Sequence, residues 1–402
     1  MKYLLRVLIT AWTVAFAVAG GCWAAETPVE EYFVYFGTYT EFKLPSFNHL
    51  MKSQSKGIYV SRFRPDTGEI STPELAAETV NPSYIAIHPN QRYLYAVVED
   101  PLALGNLRDK ASSIRAFAIN RATGKLGLLN TVPANGGSSC YITVEKYGKY
   151  LMVANFTTGS IVVWRLKEDG SIGEQTGFMQ HTGKSALLFG PHAHWVGLSP
   201  DSRFAVSTDL GTDQLLVDRF DMTKGSLTPN EPHSVSLPPG SGPRHFMFGP
   251  TGKFGYAVTE FSGEVMAYSW DPIVGALKLI QTVSAKADVL RVLGGGSEMA
   301  MHVNGKFLYA GRRGSDVISV FAIDATKGTL TRVQQEPTRG MAPRGFAVDP
   351  TGKYLLVANE VTDNVIAFEI DAQSGLLAPT YNILKIDSPT CVKFARIDLP
   401  ME

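Results

Sequence analysis

Cysteine is scarce in this chain. Its 402 residues include only Cys22, Cys140 and Cys391, too few for the disulfide framework that holds small secreted folds together. Charge of either sign is not in excess, because 37 Lys and Arg balance 37 Asp and Glu. The electrostatic footprint of a nucleic-acid binder is therefore missing, and any charge effect must be local. Past residue 25 no apolar run is long enough to span a bilayer, and no segment there carries a helical hydrophobic period. Familiar catalytic motifs are missing too. The absence of a Gly-x-Ser-x-Gly elbow excludes a serine hydrolase of that type. Gly294-Gly295-Gly296-Ser297 lacks the Lys-Ser/Thr of a phosphate loop and reads as a flexible connection. His192-Ala193-His194 could set two imidazoles on one side of a strand, but spacing marks no third ligand, so neither a metal nor a cofactor is expected.

The first two dozen residues differ from the rest. Lys2 and Arg6 precede an apolar stretch from Val7 to Ala19, followed by Gly20-Gly21-Cys22-Trp23-Ala24-Ala25. This is the pattern of a secretory signal peptide, cut after Ala24. Lipidation of Cys22 is the rival reading, and Ala19 is a poor match to the Leu usual at that place. The expected organisation is a leader over 1–24 and one domain over 25–402, in a periplasmic or secreted protein. Removal of the leader leaves Cys140 and Cys391, both in inner strands of nonadjacent repeats and expected to be free buried thiols.

What the chain does have is repetition. A Gly-x-Leu/Ile turn occurs at Gly68, Gly124, Gly170, Gly225, Gly275, Gly328 and Gly375, spaced 56, 46, 55, 50, 53 and 47 residues apart. That period lies in the range of propeller blades. A second marker precedes six of them: a turn, often with Lys or Arg, then an aromatic that opens an apolar run, as in Pro350-Thr351-Gly352-Lys353-Tyr354. Within one repeat, Gly345 to Val348, Tyr354 to Ala358 and Asn364 to Ile370 read as strands divided by turn residues, and Gly375 leads into a fourth. The expected fold is all-β: a seven-bladed propeller of four-stranded antiparallel blades.

With the strands of a blade labelled a to d from channel to rim, second strands begin near Tyr32, Tyr93, Tyr150, Phe204, Phe254, Phe307 and Tyr354. The chain thus starts in strand b. Its last strand, Thr390 to Ala395, must supply strand a of the same blade, closing the ring and removing exposed edges. A monomer is expected.

Strand a entrances and strand b exits meet at one mouth of the channel. At the entrances lie His192 and His194, Arg244 and His245, Glu298, and Arg344; at the exits lie Glu99, Asn155, Asp209, Glu260, Arg313 and Glu360. Three arginines with histidines and carboxylates suit an anionic small molecule and a proton transfer. Glu99 and Glu360 read as ordinary solvated strand ends, and His181 and His233 as loop residues. Segments 41–56, 100–112 and 178–192 exceed hairpin loops, and Phe42, Phe47 and Met51 in the first would suit a lid or a packed surface loop.

Gly190-Pro191-His192-Ala193-His194, Asp209-Leu210-Gly211-Thr212-Asp213, Gly242-Pro243-Arg244-His245, Tyr309 to Gly314 and Pro343-Arg344-Gly345-Phe346 resemble the signature of the seven-bladed β-propeller lactonases. That family includes bacterial 6-phosphogluconolactonase and the fungal carboxy-muconate cyclase. The resemblance covers roughly residues 30 to 398. It implies a catalytic set of His194, Arg244, Glu260 and Arg313; the mouth positions His192, His245, Glu298, Arg344 and Asp209 are the substrate-binding candidates. Arg313 is preferred to Arg312 because the family usually has Asn-Arg-Gly there, and this chain has Arg312 in place of the Asn. The implied activity is hydrolysis of a small anionic lactone. An exported enzyme would seldom meet the cytosolic sugar phosphate, so the leader favours the lactone reaction over that particular substrate. The alternatives are a muconate-type lactonising cyclase and a noncatalytic propeller that binds a ligand or protein. A catalytic site requires His194, Arg244 and Glu260 to converge in a closed pocket, with either Glu260 or His194 as base.

Overall fold

The computed structural model describes residues 30–41, 53–99, 112–185, 187–285 and 295–397. The leader, the Cys22 site, Phe42, Phe47, Met51 and nearly all of segment 100–112 lie outside them. The described residues form 29 strands in seven antiparallel sheets arranged as the blades of a propeller. Among them there is no helix long and apolar enough to cross a membrane.

Blade I holds strand b at Tyr32–Thr38, strand c at Gly57–Arg64, and an outer strand split into Glu69–Ile70 and Glu74–Glu78. Its strand a is the last of the chain, Pro389–Arg396. The two ends pair antiparallel, Tyr32 opposite Arg396 and Phe36 opposite Val392, so the ring closes as expected. In blades III to VII strand a is Ser139–Val144, Ala193–Leu198, Pro243–Phe248, Gly296–Met301 and Pro343–Val348. The matching b strands are Tyr150–Asn155, Phe204–Asp209, Phe254–Thr259, Phe307–Arg312 and Tyr354–Asn359. Blade II uses Ile85–Ile87 and Tyr93–Val98 for the same two strands. The b strands are almost wholly buried because blades cover both their faces.

The two sequence markers meet in space. Gly375 turns the chain into the outer strand of blade VII with φ of 73°, and a Cβ there would lie 2.4 Å from the Phe307 ring of blade VI. Only glycine offers both the left-handed backbone and the room. The phenol of Tyr309 then donates to Gly375 O at 3.1 Å. The same seam recurs, with Gly124 against Phe33, Gly225 against Tyr150 and Gly275 against Phe204. Each repeat thus carries one half of the contact with the next, which is why the two markers keep a common period. Cys140 and Cys391 are free and buried, in blades III and I.

Candidate active site

A defect repeated around the ring builds the mouth. Antiparallel strands normally oppose residues one to one, but where strand a begins an extra residue is inserted. In blade IV, Ala193 faces Asp209 and Trp195 faces Thr208, so His194 has no cross-strand partner. The skipped residue is Arg244 in blade V, Arg344 in blade VII and Cys140 in blade III. A bulge of this kind re-aims the extra side chain. All four line one cavity of about 160 Å³. The other wall comes from the first residue after strand b: Tyr39, Glu99, Phe156, Glu260 and Arg313.

Glu260 is clamped at both oxygens. Arg244 Nε donates to Oε2 at 2.9 Å, and Arg313 Nη2 lies 2.9 Å from Oε1. Burial pushes this carboxyl up, but Arg313 and Arg244 overcome it and hold it below the usual range. Arg244 Nη1 also donates to Ser297 O at 2.6 Å and to His245 Nε2 at 3.0 Å. A guanidinium only donates, so His245 Nε2 carries no proton. Its proton sits on Nδ1 and is donated to Glu298 Oε1 at 2.7 Å. Burial lowers the pKa of His245 against the pull of Glu298, consistent with a neutral ring. Glu298 also accepts from Met299 N at 3.0 Å and from the Tyr84 hydroxyl at 2.9 Å. Burial works against its charge, but His245, Lys393 and Arg244 overcome it and hold the carboxyl below the ordinary range.

Arg344 Nη2 donates to the Tyr39 hydroxyl at 2.5 Å, and its guanidinium stacks 4.8 Å over that ring. Its Nη1 lies 3.5 Å from Glu360. The Tyr39 hydroxyl in turn donates to Glu99 Oε2 at 3.0 Å. Burial raises the Glu99 carboxyl, and Arg344 only partly offsets this. Burial, then Arg244, His245 and Arg344, push His194 well below the ordinary imidazole value, so its ring is neutral. His194 Nδ1 and Arg313 Nε are buried without a hydrogen-bond partner among the described residues. Burial also raises the Cys140 thiol far above its usual value, which argues against a thiolate nucleophile.

The cavity therefore gathers His194, Arg244, Glu260, Arg313 and Arg344 from the sequence-derived candidates, with Glu99 beside them. It does not take in His192, Asp209, His245 or Glu298. His192 packs its ring 4.6 Å from Phe156 and bonds its own loop at Gly190 O. Asp209 ends strand b, one residue before the wall position, so its side chain points the other way. It accepts from His192 N, Thr212 N and His181 Nδ1 at 2.9, 2.8 and 2.8 Å. His181 lies in the loop just past the strand that ends at Gln180, as the sequence suggests, and is a buried partner of Asp209. His233 is no loop residue: it lies in the outer strand Ser226–Ser236, 3.0 Å from Asp218. His245 and Glu298 face a second cavity of about 350 Å³, farther along the channel beside Trp195 and Lys393.

Several site residues escaped the sequence reading. Tyr39 and Phe156 occupy the same slot as Glu99 and Glu260, and position instead of polarity would have found them. The glycine run is not a mere connection. Gly296 and Ser297 open a strand, and a Cβ at Gly295 would lie 2.4 Å from Glu260 Cγ.

The family description "Lactonase, 7-bladed beta-propeller" matches residues 33–394. This chain belongs to that family. It is 34% identical to the 6-phosphogluconolactonase of Bacillus subtilis, over 90% of this chain and 98% of that one. It is 33% identical to the 6-phosphogluconolactonase of Formosa agariphila, over 81% and 92% respectively. Among solved structures, the periplasmic gluconolactonase of Pseudomonas aeruginosa superposes with a TM-score of 0.82 at 30% identity, covering 92% of this chain and all of the other. As a member of this family, with relatives named for the reaction along nearly their whole length, the chain is a lactone hydrolase.

Proposed function

We propose that this protein hydrolyses a small monocyclic lactone bearing a carboxylate or phosphate, and does so after export from the cytoplasm. The observation that carries the reading is the convergence of Arg244, Arg313 and Arg344 on one cavity with His194 and two carboxylates. Opening a lactone puts negative charge on the carbonyl oxygen, and fixed donors aimed at that charge supply much of the rate. Arg244 and Arg344 are the more enclosed guanidiniums, with side chains 5% and 10% exposed, and suit the oxyanion. Arg313 is 16% exposed, and its unpartnered Nε suits the substrate's anionic group. His194, neutral and with Nδ1 unpartnered among the described residues, can orient the attacking water.

The cavity volume supports a single small ring, since drug-sized ligands need roughly 300–1,000 Å³. Export is supported by the leader pattern and by the periplasmic naming of the Pseudomonas relative. The test is a lactone panel with purified mature protein, including 6-phosphogluconolactone and glucono-δ-lactone, followed by proton release. Ring opening well above the spontaneous rate, fastest on a charged lactone, is expected. A panel with no accelerated member overturns the reading.

A further inference from the structure

Two carboxylates face the cavity, and their surroundings differ in kind. Both oxygens of Glu260 are held by guanidiniums, Oε2 by Arg244 and Oε1 by Arg313. A proton arriving there would have to displace an ion pair. Glu99 sits in the equivalent slot of blade II, and no guanidinium pairs with it among the described residues. Its Oε2 instead accepts from a phenol, that of Tyr39. That phenol is itself held by Arg344 Nη2. His194 is a weak base, because an imidazolium would be buried beside Arg244 and Arg344.

We propose that Glu99 is the proton-transfer residue of this site and that Glu260 is a fixed counter-ion that positions Arg244 and Arg313. The assignment rests on the lactonase reading above. In the step, a water oxygen bonds to the lactone carbonyl carbon and Glu99 takes the water proton. The carbonyl electron pair moves to oxygen and is held by the guanidiniums. As the pair returns, the bond to the ring oxygen breaks, and that oxygen receives the proton from Glu99. The new carboxylic acid loses its proton to solvent, leaving a hydroxy-carboxylate and an unchanged enzyme.

The groups facing Glu99 fit the role. Burial and the neighbouring Glu360 raise its carboxyl, while Arg344, the Ser83 hydroxyl and the Tyr39 phenol only partly oppose them. Cys140, in the wall from blade III, is an un-ionised thiol. Pairs of titratable groups in one site whose surroundings push them apart mark acid–base roles: here Glu99 is raised and Glu260 lowered.

The experiment compares the parent enzyme with Glu99→Gln, Glu99→Asp and Glu260→Gln on whichever lactone the parent opens fastest, across pH. Glu99→Gln should lose about 10²-fold in kcat with little change in KM, and should lose the acidic limb of the kcat–pH profile. Glu99→Asp should recover part of the rate and keep the limb. Glu260→Gln should raise KM yet keep the limb. Infrared difference spectra should also show a carboxyl titrating above the ordinary glutamate range in the parent and absent from Glu99→Gln. A folded Glu99→Gln that keeps kcat and the acidic limb overturns this assignment alone. A parent that opens no lactone overturns the lactonase reading, and this assignment with it.

Discussion

Arg244 Nε and Glu260 Oε2 lie 2.9 Å apart, one on the bulge that opens strand a and the other just past strand b of the same blade. The bulge is what makes the contact possible. In a regular strand a, the residue at Arg244 would face a cross-strand partner and point with the sheet alternation. Inserted as an extra residue, it turns into the channel and meets the carboxylate that follows the neighbouring strand. Arg244 is almost fully buried, so its charge depends on that partner.

Glu260→Gln should therefore cost stability as well as activity. It would leave Arg244 and Arg313 facing each other without a counter-charge. Breaking such a pair from one side typically costs about 3 kcal/mol or more. Urea unfolding of parent and variant at pH 7 measures this. Arg244→Lys keeps the charge but loses the fork that reaches Glu260, His245 and Ser297 together. It should reduce kcat/KM by about 10²-fold, with a smaller loss of stability.

His194 makes stability depend on pH. Its folded-state pKa lies well below the ordinary value, whereas the unfolded ring titrates near about 6.5. Its contribution is complete above that pH and is lost as pH falls through the folded value, because only the unfolded chain gains the proton early. The urea midpoint should fall from pH 7.5 to pH 5.5, and fall less in His194→Gln. Equal drops in both proteins would remove His194 from the account.

Glu298 acts on the site through His245. Glu298→Leu takes away the acceptor that keeps the His245 proton on Nδ1 and its Nε2 free for Arg244. Leaving such buried groups unpaired costs about 1–3 kcal/mol. The carboxyl is lowered in the folded protein, so the loss should be full above the ordinary glutamate pKa and shrink as pH falls below it. Denaturant midpoints of parent and variant at pH 7 and pH 4 test the sign.

Ring closure depends on a single strand. A chain ending before Ser388 lacks the strand that pairs with Tyr32–Thr38 and exposes its edge. Calorimetry should show a broadened, lower transition and light scattering should show aggregation. A truncated protein that melts as cooperatively as the full chain would contradict the closure.

The blades were legible because each repeat must satisfy the next. The glycine of one turn and the aromatic of the neighbouring strand cannot drift independently, and Gly375 with Phe307 shows why. The strand b starts at Tyr93, Tyr150, Phe204, Phe254, Phe307 and Tyr354 fall at the positions the pattern marks. The site was only partly legible. A one-residue bulge leaves no compositional trace, so the sequence could not say that His194 enters the cavity while His192 and His245 do not. The same one-residue offset separates Asp209, which ties down its loop, from Glu260, which faces the cavity. Tyr39 and Phe156 were passed over because a search for charge ignores aromatic walls. Glu99 was set aside because its partners lie far away in sequence: Tyr39, which bonds it, and Arg344, which holds Tyr39.

The central claim is lactone hydrolysis driven by the clustered guanidiniums, with Arg313 gripping the substrate's charge. Its most direct test is kcat/KM for a charged lactone and its neutral counterpart, 6-phosphogluconolactone and glucono-δ-lactone, in the parent and in Arg313→Met. The account predicts that the parent favours the charged lactone by about tenfold or more, and that Arg313→Met loses most of this preference, as expected when one charge-assisted contact worth about 1.4 kcal/mol or more is removed. Equal kcat/KM for both lactones in the parent, or an unchanged preference in the variant, would contradict it.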